Sequence, residues 1–249
     1  MDTIKYFFTH YDNIPEGLGY GLFTIKHFVL LLITILFIIL TVKEYKKSNE
    51  AKRIKIRKII AFTLIIIDVI KLIIMYLNPM DYTNYLPLEI CSFAAYSIVL
   101  DSIYKDNKFF SEMLLLLFLP AAMTALLVPT TTALPIFNFF TIHQFLYHAL
   151  IIAYVLMRYL NKEIKITYIG LWKSILKTVI LASVIYCVDY IFNKNYMFLM
   201  NSAGNPALNI FYNLANGGKL YLVYLVIFVI FVLHLFYLLF KGLDKLIKL

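Results

Sequence analysis

Long apolar runs alternate with short polar segments along this chain, each run about as long as a bilayer is thick. Bounded where charge, proline or asparagine interrupts them, the runs fall at residues 22–42, 59–77, 86–104, 111–128, 141–159, 171–192 and 219–240. A helix needs about 20 apolar residues to cross the hydrocarbon core. The pattern therefore predicts an all-α polytopic membrane protein, a bundle of seven transmembrane helices in one domain spanning residues 1–249. Pro87 is expected in the first turn of the third span, where its missing N–H does no harm, and Pro120 should kink the fourth.

The segments between the runs differ in character. Residues 1–21 hold His10, Asp12, Pro15, Glu16 and three glycines, which suits a short extramembrane segment and not a cleavable signal. Asn78-Pro79 closes the second span, and Met80 to Tyr85 forms a short loop. Residues 129–140 are apolar enough to dip into the membrane interface beside the fifth span. The longest connection, 193–218, contains seven asparagines and the run Asn195-Tyr196-Met197-Phe198-Leu199. Its mixture of amides and aromatics predicts an ordered cap.

Composition agrees with the pattern: 62% of residues are hydrophobic and the mean hydropathy is +0.83. A formal charge of +9 would suggest nucleic acid, but the placement of the basic residues argues otherwise. Seventeen Lys and Arg lie in segments on one side of the predicted bundle, including Lys43 to Lys58, Lys105, Lys108, Arg158 and Lys248. Only Lys5, Lys194 and Lys219 lie on the other. The positive-inside rule then puts the N-terminus outside and the C-terminus in the cytoplasm of a multi-pass protein of the cell membrane. No nucleic-acid motif and no zinc-ligand spacing is present, so neither nucleic acid nor a metal is expected. Cys91 and Cys187 both sit within apolar runs, which argues against a disulfide framework.

Polar groups inside a bilayer are costly, so those in the spans carry the chemical leads. Asp68 and Lys71 are three residues apart, on one helical face. They are expected either to pair or to line a substrate or proton pathway. With the predicted topology Cys91 lies about 7–8 Å below the outer face and His148 about 10 Å below it, at 1.5 Å per residue. Asp189 and the asparagine-rich loop fall near the same face. The outer half of the bundle thus collects polar groups, and the inner half is expected to collect none. Glu89, two helical positions from Cys91, should point about 200° away from it, towards His143 or another polar group. His27 and His234 are expected to be satisfied by their neighbours.

A thiol with an imidazole at matching depth can act as nucleophile and base towards esters and thioesters. Two other readings remain open on the residues alone. In one, the chain is a transporter or membrane-bound substrate-binding component, with Asp68 and Lys71 along a wet pathway and a dispensable Cys91. In the other it is a structural or assembly protein. A retinal receptor is excluded because the last span has no central lysine.

At Leu86-Pro87-Leu88-Glu89-Ile90-Cys91, at Phe139-Phe140 leading to His148, and at Asn195-Tyr196-Met197-Phe198-Leu199, the chain resembles the YwaF / transmembrane protein 164 group of integral membrane acyltransferases. The resemblance extends over most of residues 60–240. It implies that Cys91 carries an acyl group as a thioester, helped by His148. Glu89, His143, Asp68, Lys71, Asp189, Asn195 and Tyr196 become the substrate-binding or supporting candidates. It also implies transfer between (lyso)phospholipids with no cofactor, metal or nucleotide, membrane lipids being the partners and no obligate protein partner being inferred. The chain departs from the group's pattern in having Glu89 two residues before the cysteine, Tyr147 before the histidine, and Asn216-Gly217-Gly218-Lys219 ahead of the last span.

Overall fold

The structure, a computed structural model, describes residues 4–10, 13–78, 81–104 and 108–246, without the side chains of residues 108 and 109. Expectations that rest on Asp12, Pro79, Met80, Lys105, Lys248 and the Lys108 side chain lie outside the described residues.

Helix α1 runs from Ile25 to Lys47, and the Thr24 hydroxyl caps it by accepting from the His27 N–H at 3.3 Å. Helix α2 spans Glu50–Leu77, and Asn49 Oδ1 accepts from the Lys52 N–H at 3.0 Å. Only Ser48 and Asn49 separate them. The basic stretch 43–58, expected as a loop, is therefore nearly all helix. Its lysines and arginines alternate with Ala and Ile and include no Gly or Pro, so nothing ends the helices where the apolar runs end.

Helix α3 is Ile90–Ile103. Helix α4 (Lys108–Met113), a π-helical turn (Leu114–Phe118) and α5 (Leu119–Leu127) make one continuous run. Pro120 sits at the start of α5, so the irregularity expected in this span takes the form of a π turn. Helices α6 (Phe139–Leu160), α7 (Tyr168–Phe192), α8 (Pro206–Leu214) and α9 (Leu220–Leu246) follow. There is no strand among the described residues. Six helical runs are long and apolar enough to cross a membrane, and α3, with 14 residues, is a shorter apolar helix.

The least apolar of the six is the central one. In α6, 67% of the spanning window is buried, against 6% in α9. Helices exposed to lipid must be apolar all round, whereas an enclosed helix can carry tyrosines, histidine and arginine. Helices α1, α2, α3 and α5 pack around α6. At one end of the bundle the N-terminal segment lies against the turn before α6: Asn138 Nδ2 donates to the Tyr6 and Thr9 carbonyls, both at 2.8 Å.

The opposite, basic end corrects the expectation that no polar set gathers there. Asp101 of α3 and Arg158 of α6, each 1% exposed, form an ion pair. Tyr154 OH donates to Asp101 Oδ2 at 2.6 Å, and Arg158 Nε to Glu163 Oε2 at 3.2 Å. Glu163 also accepts from Tyr45 OH at 2.8 Å and lies 3.8 Å from both Arg53 and Arg57. Counted from sequence as a loop residue, Arg158 is in the last turn of α6, where α3 brings it a carboxylate.

A second carboxylate, Glu112, accepts from the Thr167 N–H at 3.2 Å and the Thr167 hydroxyl at 3.0 Å, satisfying the start of α7. Gly170 leaves room for it: a Cβ there would stand 1.9 Å from Glu112 Oε1.

Candidate functional site

The approach to α3 sets the geometry of the site. The residue before a proline avoids the helical region, and Leu86 is extended, with φ −55° and ψ 147°. The Leu88 N–H bonds back to the Leu86 carbonyl at 2.7 Å, and Glu89 is extended as well. Helix α3 therefore begins at Ile90 and not at Leu86, and Pro87 precedes it instead of sitting in its first turn. Cys91 becomes the second helical residue. The 200° argument assumed that Glu89 and Cys91 shared a helix; with Glu89 outside it, both side chains reach the same cavity.

That cavity has a volume of about 260 Å³. Glu89, Ile90 and Cys91 form one wall, and Leu116, Leu117 and Pro120, from the π turn and α5, form another. Gln144 and His148, one turn apart on α6, face in, as do Val229 and Leu233 of α9. Tyr196, Met197 and Phe198 of the cap, with Asn205 and Leu208, complete it.

His148 is buried, and its Nδ1 lies 2.6 Å from the Gln144 carbonyl. A carbonyl only accepts, so Nδ1 carries the proton, and the neutral ring keeps its lone pair on Nε2. The N–H groups that open α3 have no side-chain cap: Glu89 is the N-cap residue but makes no capping bond. The first N–H groups of a helix lack intrahelical acceptors and point along a positive dipole end. The cavity thus brings together a thiol, a base-competent imidazole and a helix N-terminus, inside mostly apolar walls.

Behind this wall lies a second polar set. Lys71 Nζ is 2.7 Å from Asp68 Oδ1, so the expected pair forms. His143 Nε2 is 3.6 Å from the same oxygen, which places His143 beside Asp68 rather than Glu89. Tyr147 OH lies 3.3 Å from both Asp68 Oδ2 and the Cys91 carbonyl, and the His143 and Tyr147 rings stack with centroids 5.1 Å apart. Asp68, Lys71 and His143 do not line the cavity.

The cap is organised by its own amides and by Asp189. Asp189 Oδ1 accepts from the Tyr196 N–H at 3.0 Å, and Asn195 Oδ1 accepts from the Met200 N–H at 3.0 Å. Tyr196 OH donates to the Thr83 carbonyl at 2.5 Å, Tyr221 OH to the Phe198 carbonyl at 2.8 Å, and Asn205 caps α8.

The TMEM164 family model matches residues 22–240. This chain belongs to the TMEM164 family. The match begins before the first membrane helix, well ahead of residue 60, where the resemblance carried by the motifs begins. No curated protein and no solved structure matches the chain.

Within this TMEM164-family membrane protein, Cys91, His148, Glu89 and Tyr196 come together at one cavity. Asp189 and Asn195 shape the loop above it, while Asp68, Lys71 and His143 form the neighbouring cluster. Sequence reasoning missed Gln144, whose carbonyl sets the His148 tautomer, although its place four residues earlier on the same helix was a usable signal. His27 bonds the Leu126 carbonyl at 3.0 Å and His234 lies 2.9 Å from that of Ile230, both away from the cavity.

The cap is also latched to the segment before α3. Lys194 Nζ donates to Asp81 Oδ2 and Asn84 Oδ1, both at 2.8 Å. The bonds from Lys194 and Thr83 hold the Asp81 carboxyl down, from 3.8 to about 2. A depressed carboxyl contributes stability above its unfolded value and loses it as pH falls through the folded one. Cap protection against proteolysis should therefore be the same at pH 7 and pH 5, and should weaken only below 3.8. Lys194→Ala should raise cap cleavage at neutral pH by up to about fivefold, the range of an exposed ion pair.

Proposed function

We propose that this chain is a membrane-embedded lipid acyltransferase that carries a fatty acyl group on Cys91 as a thioester. The observation that carries this reading is that Cys91 and His148 line one and the same mostly apolar cavity. Its components match the needs of the reaction. His148 Nε2 takes the thiol proton as sulfur attacks the ester carbonyl of a phospholipid. The oxyanion of the tetrahedral intermediate meets the uncapped N–H groups at the start of α3. When that intermediate collapses, the C–O ester bond breaks and His148 returns the proton to the departing alkoxide, releasing a lysophospholipid. The second half runs in reverse: His148 takes the proton of an acceptor hydroxyl, the alkoxide attacks the thioester, and the C–S bond breaks to restore the thiol.

Lipid substrates suit the surroundings, because the cavity walls are mostly apolar and its cap is rich in aromatic and amide groups. The basic end would face the cytoplasm of the cell membrane, with the N-terminus outside and Cys91 serving the outer leaflet. The transporter reading asks for a pathway along Asp68 and Lys71. Those residues instead pair with each other outside the cavity.

Intact-mass analysis of detergent-purified protein after incubation with mixed phospholipids tests this. A hydroxylamine-sensitive acyl adduct is expected on the parent and should be absent from Cys91→Ala. An adduct that persists in the variant, or none on either protein, sinks the proposal.

A further inference from the structure

A second cavity, of about 370 Å³, opens between α7 and α9. It shares Ile90, Leu117, Met197, Leu225, Val229 and Leu233 with the Cys91 cavity, so one set of side chains is the common wall of both. Along α7 it runs from Cys187, near the cap, to Ile175, deep in the bundle. Twelve residues of helix make that about 18 Å. A C–C bond near 1.5 Å gives roughly 1.25 Å per carbon in an extended chain, so the slot holds about fourteen carbons. Half of a bilayer's hydrocarbon core is about 15 Å, close to the same length.

The walls are suited to methylene groups. Of the α7 hydroxyl residues on the lining, Thr178, Ser183 and Tyr186, the two small ones are turned back to their own helix: Thr178 Oγ1 donates to the Ser174 carbonyl and Ser183 Oγ to the Val179 carbonyl, both at 2.8 Å. The remainder is almost entirely aliphatic.

We propose that this α7–α9 slot holds the acyl chain whose carbonyl reacts at Cys91, with Ala182 and Thr178 gauging its length. The inference rests on the acyltransferase reading for the reacting end of the chain, but not for occupancy of the slot. The chain passes over the shared wall at Leu117 and Val229 and lies with its tail towards Ile175. Ala182 and Thr178 are small residues one turn apart on the lining, about 6 Å along the axis. Phenylalanine at either position blocks the slot, and at Ala182 it blocks it about five carbons sooner, at roughly 1.25 Å per carbon.

The test uses the full-length protein in detergent with a phospholipid carrying a photoreactive diazirine at its chain end, followed by peptide mapping and intact mass. The expected label falls on α7 around 175–179 and on the facing stretch of α9. Ala182→Phe should abolish that label and leave Cys91 acylated only by shorter chains, with Thr178→Phe intermediate. Label in the slot of both the parent and Cys91→Ala, with no thioester, supports the slot and overturns acyl transfer. A thioester on Cys91 with the label elsewhere, and with chain preference unchanged in Ala182→Phe and Thr178→Phe, overturns the slot alone. Neither label nor thioester overturns both.

Discussion

Arg158→Met is expected to destabilise the protein by about 3–5 kcal/mol, the largest effect of any single change considered for the scaffold. The loss comes less from the missing attraction than from what is left behind. Asp101 is 1% exposed, and without the guanidinium the Tyr154 hydroxyl is the side-chain donor left to it among the described residues. Removing both charges should be milder. Arg158→Met with Asp101→Leu is expected to recover most of the loss, since well-packed apolar residues often replace a buried pair at little cost. About 1–3 kcal/mol should remain, because the Tyr154 hydroxyl loses its acceptor. Unfolding by denaturing detergent, followed by circular dichroism, measures both. A single variant within 1 kcal/mol of the parent would show that the pair is solvated rather than enclosed.

His148→Ala should slow formation of the Cys91 adduct by about 10²–10⁴-fold, the usual contribution of a positioned general base. The argument is the tautomer: Nδ1 is committed to the Gln144 carbonyl, so the free lone pair on Nε2 belongs to a ring facing the cavity. His143→Ala is the informative comparison. His143 sits on Asp68 behind the wall, and its loss should slow adduct formation by less than tenfold. Time courses of adduct mass at fixed lipid concentration give both rates. Equal losses for the two histidines would mean that the base has been misassigned.

Much of this architecture is written in the hydrophobic pattern, because lipid allows so few alternatives for an apolar run of bilayer length. The helical runs were legible for that reason, and so was the contact between Asp68 and Lys71, which follows from their spacing on α2. What failed were arguments that needed local backbone conformation or partners distant in sequence. The phase between Glu89 and Cys91 was wrong because the Leu86–Leu88 turn delays the helix to Ile90, something Pro87 only hints at. The ion pair at the basic end was invisible because Asp101 and Arg158 are far apart in the chain, and arginine at the end of a run reads as a topology signal. Asp189 and Asn195 were rightly placed near the cap, yet their bonds hold the loop's backbone and leave the cavity to Tyr196.

The π turn at Leu114–Phe118 confines a change in chain length to one wall of the chamber. Such a turn is an α-helix with one residue too many, absorbed locally. Deleting any one of these five residues would let the run close into regular α-helix, while everything after it kept its face because the turn already takes up the extra residue. Pro120 and Thr124 would go on facing the Cys91 cavity, and the change would fall on Leu116 and Leu117, the lining residues within the turn. A chain shortened by that one residue would keep the same spans and the same cysteine, and would differ only in the stretch of chamber wall that the turn supplies.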